Sequence, residues 1–469
     1  MELDKRALRA PYAGRLQVRD LPTYTAMEME KLKMGYRFGR PIFSACIGAL
    51  LLALIAAGAR DARADATPSA TPAAGAPAAA AKATPAPVAA ATPVPPLSSP
   101  GMTGPLVMAS PHEINIPKYA PFLSELPAPI AGLLDFDVNG VVSGLGFFQN
   151  RAVVGDPYNR LDISNAEAII QKADGMIQYY VQVGGYSLPA LGSPYVNMTK
   201  AVNKLYGVLP EAYLKVAPFD NFSIEAGNLP TLFGAEYTFT FENMNIERGL
   251  LWNQENAINR GVQLNYSYGP LAASVSWNNG FYSHSYTWVD GLLAWTINPQ
   301  NTLSVVAGGN AGFAKSSNFA TPLLNNNGQI YNLIYTYNAA PIVITPYFQE
   351  TNIPFNPDIG VLKSTQTISG AILASYAITD KVSVAGRAEY IGTTGNENSP
   401  KGSAANLLYG VGSDAWSLTL TPTFQWNQFF FRGEVSYVQA NSYAPGAVFG
   451  KEGINNSQVR GLVETGVIF

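Results

Sequence analysis

The residues with the most chemistry in this chain lie in one long connection, 229–258, which carries Glu236, Glu242, Glu247, Arg248 and Glu255. Further along, Arg387 and Glu389 stand two apart, as do Arg432 and Glu434, while Arg460 and Glu464 stand four apart. Spacings of two and four put each pair on one face of a strand. Arg260 opens the strand after the long connection, and Glu211 is a further wall candidate. Carboxylates and guanidinia without histidine or cysteine partners do not make a nucleophilic or metal centre. They can line a charged constriction that selects solutes by sign. The expectation is that 229–258 folds into a lumen, its carboxylates facing basic residues on the wall. The plainer alternative is an outer loop that shields the surface or packs on a neighbouring protomer. For the wall residues it is lumen charges paired across strands, worth a modest ~0.2–1 kcal/mol each. Facing lipid, Arg or Lys at mid-membrane would cost ~2–4 kcal/mol, which fixes the face they occupy.

Other chemistry is thinly supported. The chain has two histidines, His112 and His284, and one cysteine, Cys46. His284 has Ser283, Ser285 and Asp290 near it in sequence, but neighbours in sequence are not a triad. Cys46 falls in the export signal, so the mature chain is expected to have no thiol. There is no calcium-loop motif. Catalytic residues, cofactors and metals are therefore expected to be none.

Such residues need elements to hold them, and the composition narrows the choice. The chain has 469 residues, 47% hydrophobic but only 13% charged, about half the usual charged share. Past residue 60 no apolar run reaches the ~20 residues of a membrane helix. Low charge without long apolar runs fits strands whose apolar positions alternate with polar ones. Residues 1–134 hold 13 Lys+Arg and 9 Asp+Glu, and residues 135–469 hold 16 and 23, so +4 precedes −7. The acidic balance of the second part disfavours nucleic acid as a partner and favours weak cation preference.

Three segments are expected. Residues 1–64 are an N-terminal extension and signal peptide. The apolar run at 42–58 comes after Arg37 and Arg40 and precedes Ala62-Arg63-Ala64, with cleavage after Ala64. Met1 and Met34 both remain open as the start. Residues 65–134 are an Ala/Pro/Thr-rich, disordered linker and pre-barrel segment, with A-T-P at 66–68, 83–85 and 91–93. Its last part, 111–134, is a short apolar approach that plugs or braces the barrel.

Residues 135–469 read as strands joined by alternately short and long connections. In the final segment Val459, Val463, Val467 and Phe469 oppose Arg460 and Glu464. In 416–426, Trp416, Leu418, Leu420 and Phe424 oppose Ser417, Thr419, Thr421 and Thr423. Short turns rich in Asp, Asn, Gly or Pro fall at 173–175, 218–221, 269–270, 298–301, 338–341, 379–381 and 426–428. Seven such turns and eight long connections join sixteen strands, with the second, about 161–172, the least distinct; fourteen or eighteen remain open. The fold class is all-β, a transmembrane antiparallel up-and-down barrel, apolar toward lipid and hydrated within.

The stretch 241–252, F-E-N-M-N-I-E-R-G-L-L-W, and the flanking A-D-G-M-I-Q-Y-Y-V-Q-V-G at 173–184 resemble the β-barrel porin-2 family of bacterial outer-membrane proteins. The resemblance spans 135–469. It implies a bacterial outer-membrane porin, a water-filled channel for passive diffusion of small hydrophilic solutes or ions, with no defined substrate. The implied partners are outer-membrane lipid and the barrel-assembly machinery; a homotrimer is expected by analogy with sixteen-stranded porins. The chain's end departs from the usual assembly signal, with Glu464 where a Gly is often found. A structural or adhesin protein tied to the cell wall through the linker is the alternative reading.

Overall fold

The computed structural model describes residues 104–314, 319, 321–394 and 407–469. The expected export signal and most of the linker lie outside the described residues. A short strand, β1 (His112–Asn115), precedes several single-turn helical pieces between 116 and 134. Then come β2 (Asp135–Gln149), β3 (Asn159–Lys172), β4 (Ile177–Tyr186), β5 (Glu211–Phe219), β6 (Phe222–Pro230), β7 (Ile258–Tyr268), β8 (Leu271–Asn278) and β9 (Trp288–Asn298). The second half comprises β10 (Asn301–Asn310), β11 (Gln329–Ala339), β12 (Ile342–Ile353), β13 (Thr365–Ala377), β14 (Val382–Thr393), β15 (Asp414–Trp426), β16 (Phe429–Asn441) and β17 (Ser457–Ile468).

Each of β2 to β17 pairs antiparallel with the next, and β17 pairs with β2 through Arg460↔Gln149 to Ile468↔Val141. The ring of sixteen is thus closed, and no edge among them is left to aggregate. β1 lies alongside the start of β2, from His112↔Val138 to Asn115↔Asp135, and braces the rim. The seven expected short turns all sit between consecutive strands at one end of the barrel. The chain comes closest to its own end here, where Gly140 and Phe469 exchange two backbone hydrogen bonds. In the two-residue turn between β15 and β16, Asn427 takes φ of 52°, a conformation that suits Asn.

Alternation follows the sequence pattern. On β15, Trp416, Leu418, Leu420 and Phe424 are exposed outward, while Ser417, Thr419, Thr421 and Thr423 are buried inward. The outward set meets lipid. Tyr390 faces Trp416 across the strands, and the Trp416 and Tyr437 rings are 5.2 Å apart, part of an aromatic girdle toward the loop end. Trp426 and Phe429, paired across the opposite rim, belong to a second girdle.

The inner face is less uniformly polar than the pattern suggested. Leu292, Val306, Ile330, Ile334, Tyr347 and Leu373 point inward on β9 to β13 and are buried. They pack against Leu232, Phe233, Leu250 and Leu251 from the 231–257 connection. The apolar core of this protein therefore sits inside its barrel, where a re-entrant loop meets one half of the wall. Burying that loop's apolar side chains stabilises its seat by the usual ~25 cal/mol per Å².

Candidate constriction site

The loop 231–257 leaves β6 and returns to β7 without reaching out to solvent. Its own side chains first give it shape. Asn243 accepts from the Tyr237 amide at 2.8 Å and donates to the Tyr237 carbonyl at 2.9 Å and the Phe239 carbonyl at 2.6 Å. Glu242 accepts from the Phe239 amide at 3.1 Å, closing a single turn at Thr240–Glu242. A second short turn, Leu251–Gln254, ends with Gln254 accepting from Thr351 at 2.9 Å and Thr367 at 2.6 Å on the wall.

Three buried arginines from the wall then hold the loop. Arg387 on β14 donates to Glu236 at 2.7 Å, to the Glu247 carbonyl at 2.7 Å and to its strand neighbour Glu389 at 3.1 Å. Arg432 on β16 donates to the loop carbonyls of Asn243 at 3.0 Å and Thr240 at 2.8 Å, and pairs with Glu464 on β17. Arg460 on β17 donates to Glu247 at 2.8 Å. It also reaches the carbonyls of Ala190 at 3.0 Å and Ser193 at 3.3 Å in the neighbouring connection.

Wall carboxylates complete the exchange in the opposite sense. Glu434 accepts from the backbone amides of Ile246 and Glu247, and from Thr421 at 2.7 Å. Glu389 accepts from the Leu251 amide at 3.4 Å and from Ser417 at 2.7 Å. Glu464 accepts from Thr240 at 2.7 Å. A hydrogen-bonded charge away from water tolerates little displacement, because breaking one partner strands the other. The network therefore fixes position more than it adds net stability.

The sequence-derived set separates into groups. Glu236, Glu247, Arg387, Glu389, Arg432, Glu434, Arg460 and Glu464 come together in this clamp. Arg248 is fully buried; its guanidinium lies 5.0 Å over the Trp252 ring and makes no hydrogen bond to any described residue. Glu255 is likewise buried, with neither oxygen hydrogen-bonded to a described residue, and packs against Gly234, where an added Cβ would fall 2.0 Å from its oxygen. Arg260 stands apart, donating to Tyr282 at 2.6 Å and Asn228 at 3.2 Å. His112 on β1 and His284 in the 279–287 connection belong to opposite ends of the barrel.

Sequence reading named Glu211 on β5 among the wall candidates but missed Glu167 on β3; both are buried and face inward near Glu242. Inward parity was the signal for Glu167. Glu242, in the re-entrant loop rather than in a spanning strand, has its carboxyl pushed up to about 7 by burial; the Phe239 amide and Arg248 oppose the shift. The loop's four carboxylates against one guanidinium leave a formal −3, while the six wall charges of the clamp cancel. By formal charge the loop is acidic.

Three similarities to solved structures accompany this geometry. The outer-membrane protein OmpT of Vibrio cholerae superposes at TM-score 0.47 and 11% identity, covering 71% of this chain and 97% of its own. The channel DcaP of Acinetobacter baumannii gives 0.48 and 10%, covering 71% and 97%. OprD from Pseudomonas aeruginosa gives 0.39 and 10%, covering 71% and 93%. No curated protein matches the chain. The family model described as "Putative beta-barrel porin-2, OmpL-like" matches residues 135–469. With that match spanning well over half the chain, this protein belongs to the β-barrel porin-2 family of outer-membrane barrels.

Proposed function

We propose that the chain forms a channel for passive diffusion of small hydrophilic solutes or ions across the outer membrane, with preference for cations. The observation that carries this reading is the acidic loop 231–257 held inside a sixteen-stranded bore by Arg387, Arg432 and Arg460. A loop fixed there narrows the passage, and its net negative charge lowers the cost of a cation's entry while raising that of an anion. On this reading the charged residues have two roles. Arg387, Arg432, Arg460, Glu389, Glu434 and Glu464 position the loop. Glu242, a loop carboxylate outside the clamp, presents charge to passing solute.

The remaining assignments accompany that reading. Residues 1–64 are removed after Ala64, 65–134 are a periplasmic linker and pre-barrel segment, and 135–469 are the channel. The trimer is the assembly to test, because one of the Vibrio cholerae OmpT structures is of a trimer form. Reconstitution of the mature protein into a planar bilayer tests the function. A salt gradient is expected to give a cation-selective reversal potential, and deletion of 236–250 is expected to raise single-channel conductance. Unchanged conductance in the deletion variant rules out the loop as the constriction.

A further inference from the structure

The chain upstream of the barrel enters the bore. At Gly104 the backbone touches the underside of the re-entrant loop so closely that an added Cβ would fall 2.7 Å from the Glu242 carbonyl and 3.1 Å from that of Asn243. Leu106, Met108 and Ala109 then pack against a buried cluster that includes Phe239 and Phe241 of the loop, Phe430 of β16 and Ile468 of β17. Gln425 on β15 grips Val107 on both sides, accepting from its amide at 2.8 Å and donating to its carbonyl at 2.7 Å. Asn139 on β2 donates to the Ala109 carbonyl at 3.0 Å. Only then does the chain reach the rim and form β1. Gly104, Pro105, Val107, Met108 and Ala109 line a cavity of about 720 Å³ at the short-turn end, together with Asn338, Val343, Ser383 and Thr423.

We infer that residues 104–109 are an autoinhibitory plug, seated under the constriction loop at the periplasmic mouth, whose withdrawal widens the channel. This rests on the channel reading above. The physical basis is that the segment is held mostly through its backbone and few apolar contacts. Gln425 supplies the two hydrogen bonds a neighbouring strand would give, at one residue only. Such a seat orders the segment without the continuous ladder that fixes the wall strands, so it opens at lower free energy than they do. The segment is also joined directly to the Ala/Pro-rich stretch that precedes it in sequence.

Two experiments on the full mature chain test this. The first compares single-channel conductance of the parent, of a variant with 104–109 replaced by an equal length of Gly and Ser, and of Gln425→Ala. The replacement is expected to raise unit conductance by about twofold or more, because conduction follows the bore and its lining. Gln425→Ala is expected to raise the frequency of openings. The second uses Val107→Cys with Gln425→Cys in the mature chain, which has no other thiol once Cys46 has been removed with the export signal. A short bismaleimide is expected to crosslink the pair in the folded, heat-modifiable barrel, a readout independent of conduction. Failure to crosslink in a folded barrel overturns the placement of the segment. Conducting bilayers with identical conductance in parent and replacement overturn the plug while leaving the channel standing. Silent bilayers for both, with the crosslink formed, defeat the channel reading and the plug's gating role with it.

Discussion

Replacing Arg387 by Met tests how the re-entrant loop is held. Methionine keeps much of the apolar stem and removes the guanidinium. What it leaves behind is two buried carboxylates, Glu236 on the loop and Glu389 on the wall, 2.7 and 3.1 Å from atoms no longer there, and the Glu247 carbonyl that had accepted at 2.7 Å. Removing one partner of a buried ion pair costs about 3–5 kcal/mol, because the other charge is stranded. The wall strands keep their ladders, so that cost falls on the loop's seat. It corresponds to roughly a hundred- to a few-thousand-fold in the loop's local opening equilibrium. Hydrogen exchange measured by mass spectrometry in micelles is expected to show that increase in peptides covering 236–250, with the strands still protected. Adding Glu236→Gln removes one of the stranded charges, so the double variant is expected to exchange more slowly than Arg387→Met, with a coupling of at least about 1.5 kcal/mol. If exchange in 236–250 matches the parent while the barrel stays folded, the clamp does not hold the loop and the reasoning fails.

Gly249→Ala places a Cβ 2.0 Å from a Glu389 oxygen, so the loop should loosen by about 1–3 kcal/mol, read as faster exchange at 246–251. Gly227 on β6 has φ of +145°, and its Cβ would fall 2.2 Å from the Ala212 carbonyl on the paired strand. Gly227→Ala should therefore lower the yield of the heat-modifiable folded band, while Gly433→Ala, with nothing near its Cβ, should not. Glu242 has its carboxyl raised to about 7, so it is neutral below that pH and charged above it. Cation selectivity in the reversal potential should fall as pH drops from 8 to 6, and Glu242→Gln should hold the low-pH selectivity throughout; an unchanged pH profile in that variant would remove Glu242 from the selectivity set.

Much of the wall was readable because its rules are local. Each of the seven turns carries residues that tolerate tight backbone geometry, and a period of two puts Arg432, Glu434, Arg460 and Glu464 on the inner face. β3 was the least distinct strand for a physical reason. Opposite Ser143 and Gly144 its register shifts, leaving Ser164 with no residue paired to it on β2. Inward positions are Arg160 and Asp162 before the bulge but Asn165 and Glu167 after it, so no single alternation runs its length. The clamp itself was out of reach of spacing. Arg387 and Glu236 are 151 residues apart, and Arg432 donates to carbonyls, which every residue has. Nor could spacing show that Arg248 lies over Trp252 without a carboxylate partner, or that Leu292 and Val306 face inward to seat the loop rather than outward to lipid.

Every arginine that grips the loop is supplied by the last quarter of the polypeptide, with Arg460 on β17 donating to Glu247 across 213 residues. The loop is synthesised long before its holders, and ordering it before they arrive would cost closure entropy without the arginine contacts that offset it. A partly assembled chain therefore carries a slack loop. Arg387 on β14 comes first, and the C-terminal hairpin, in the same event that joins β17 to β2, brings Arg432 and Arg460 and draws the loop taut. Finishing the cylinder and seating the loop become a single step, so a truncated product cannot hold the loop as the whole chain does.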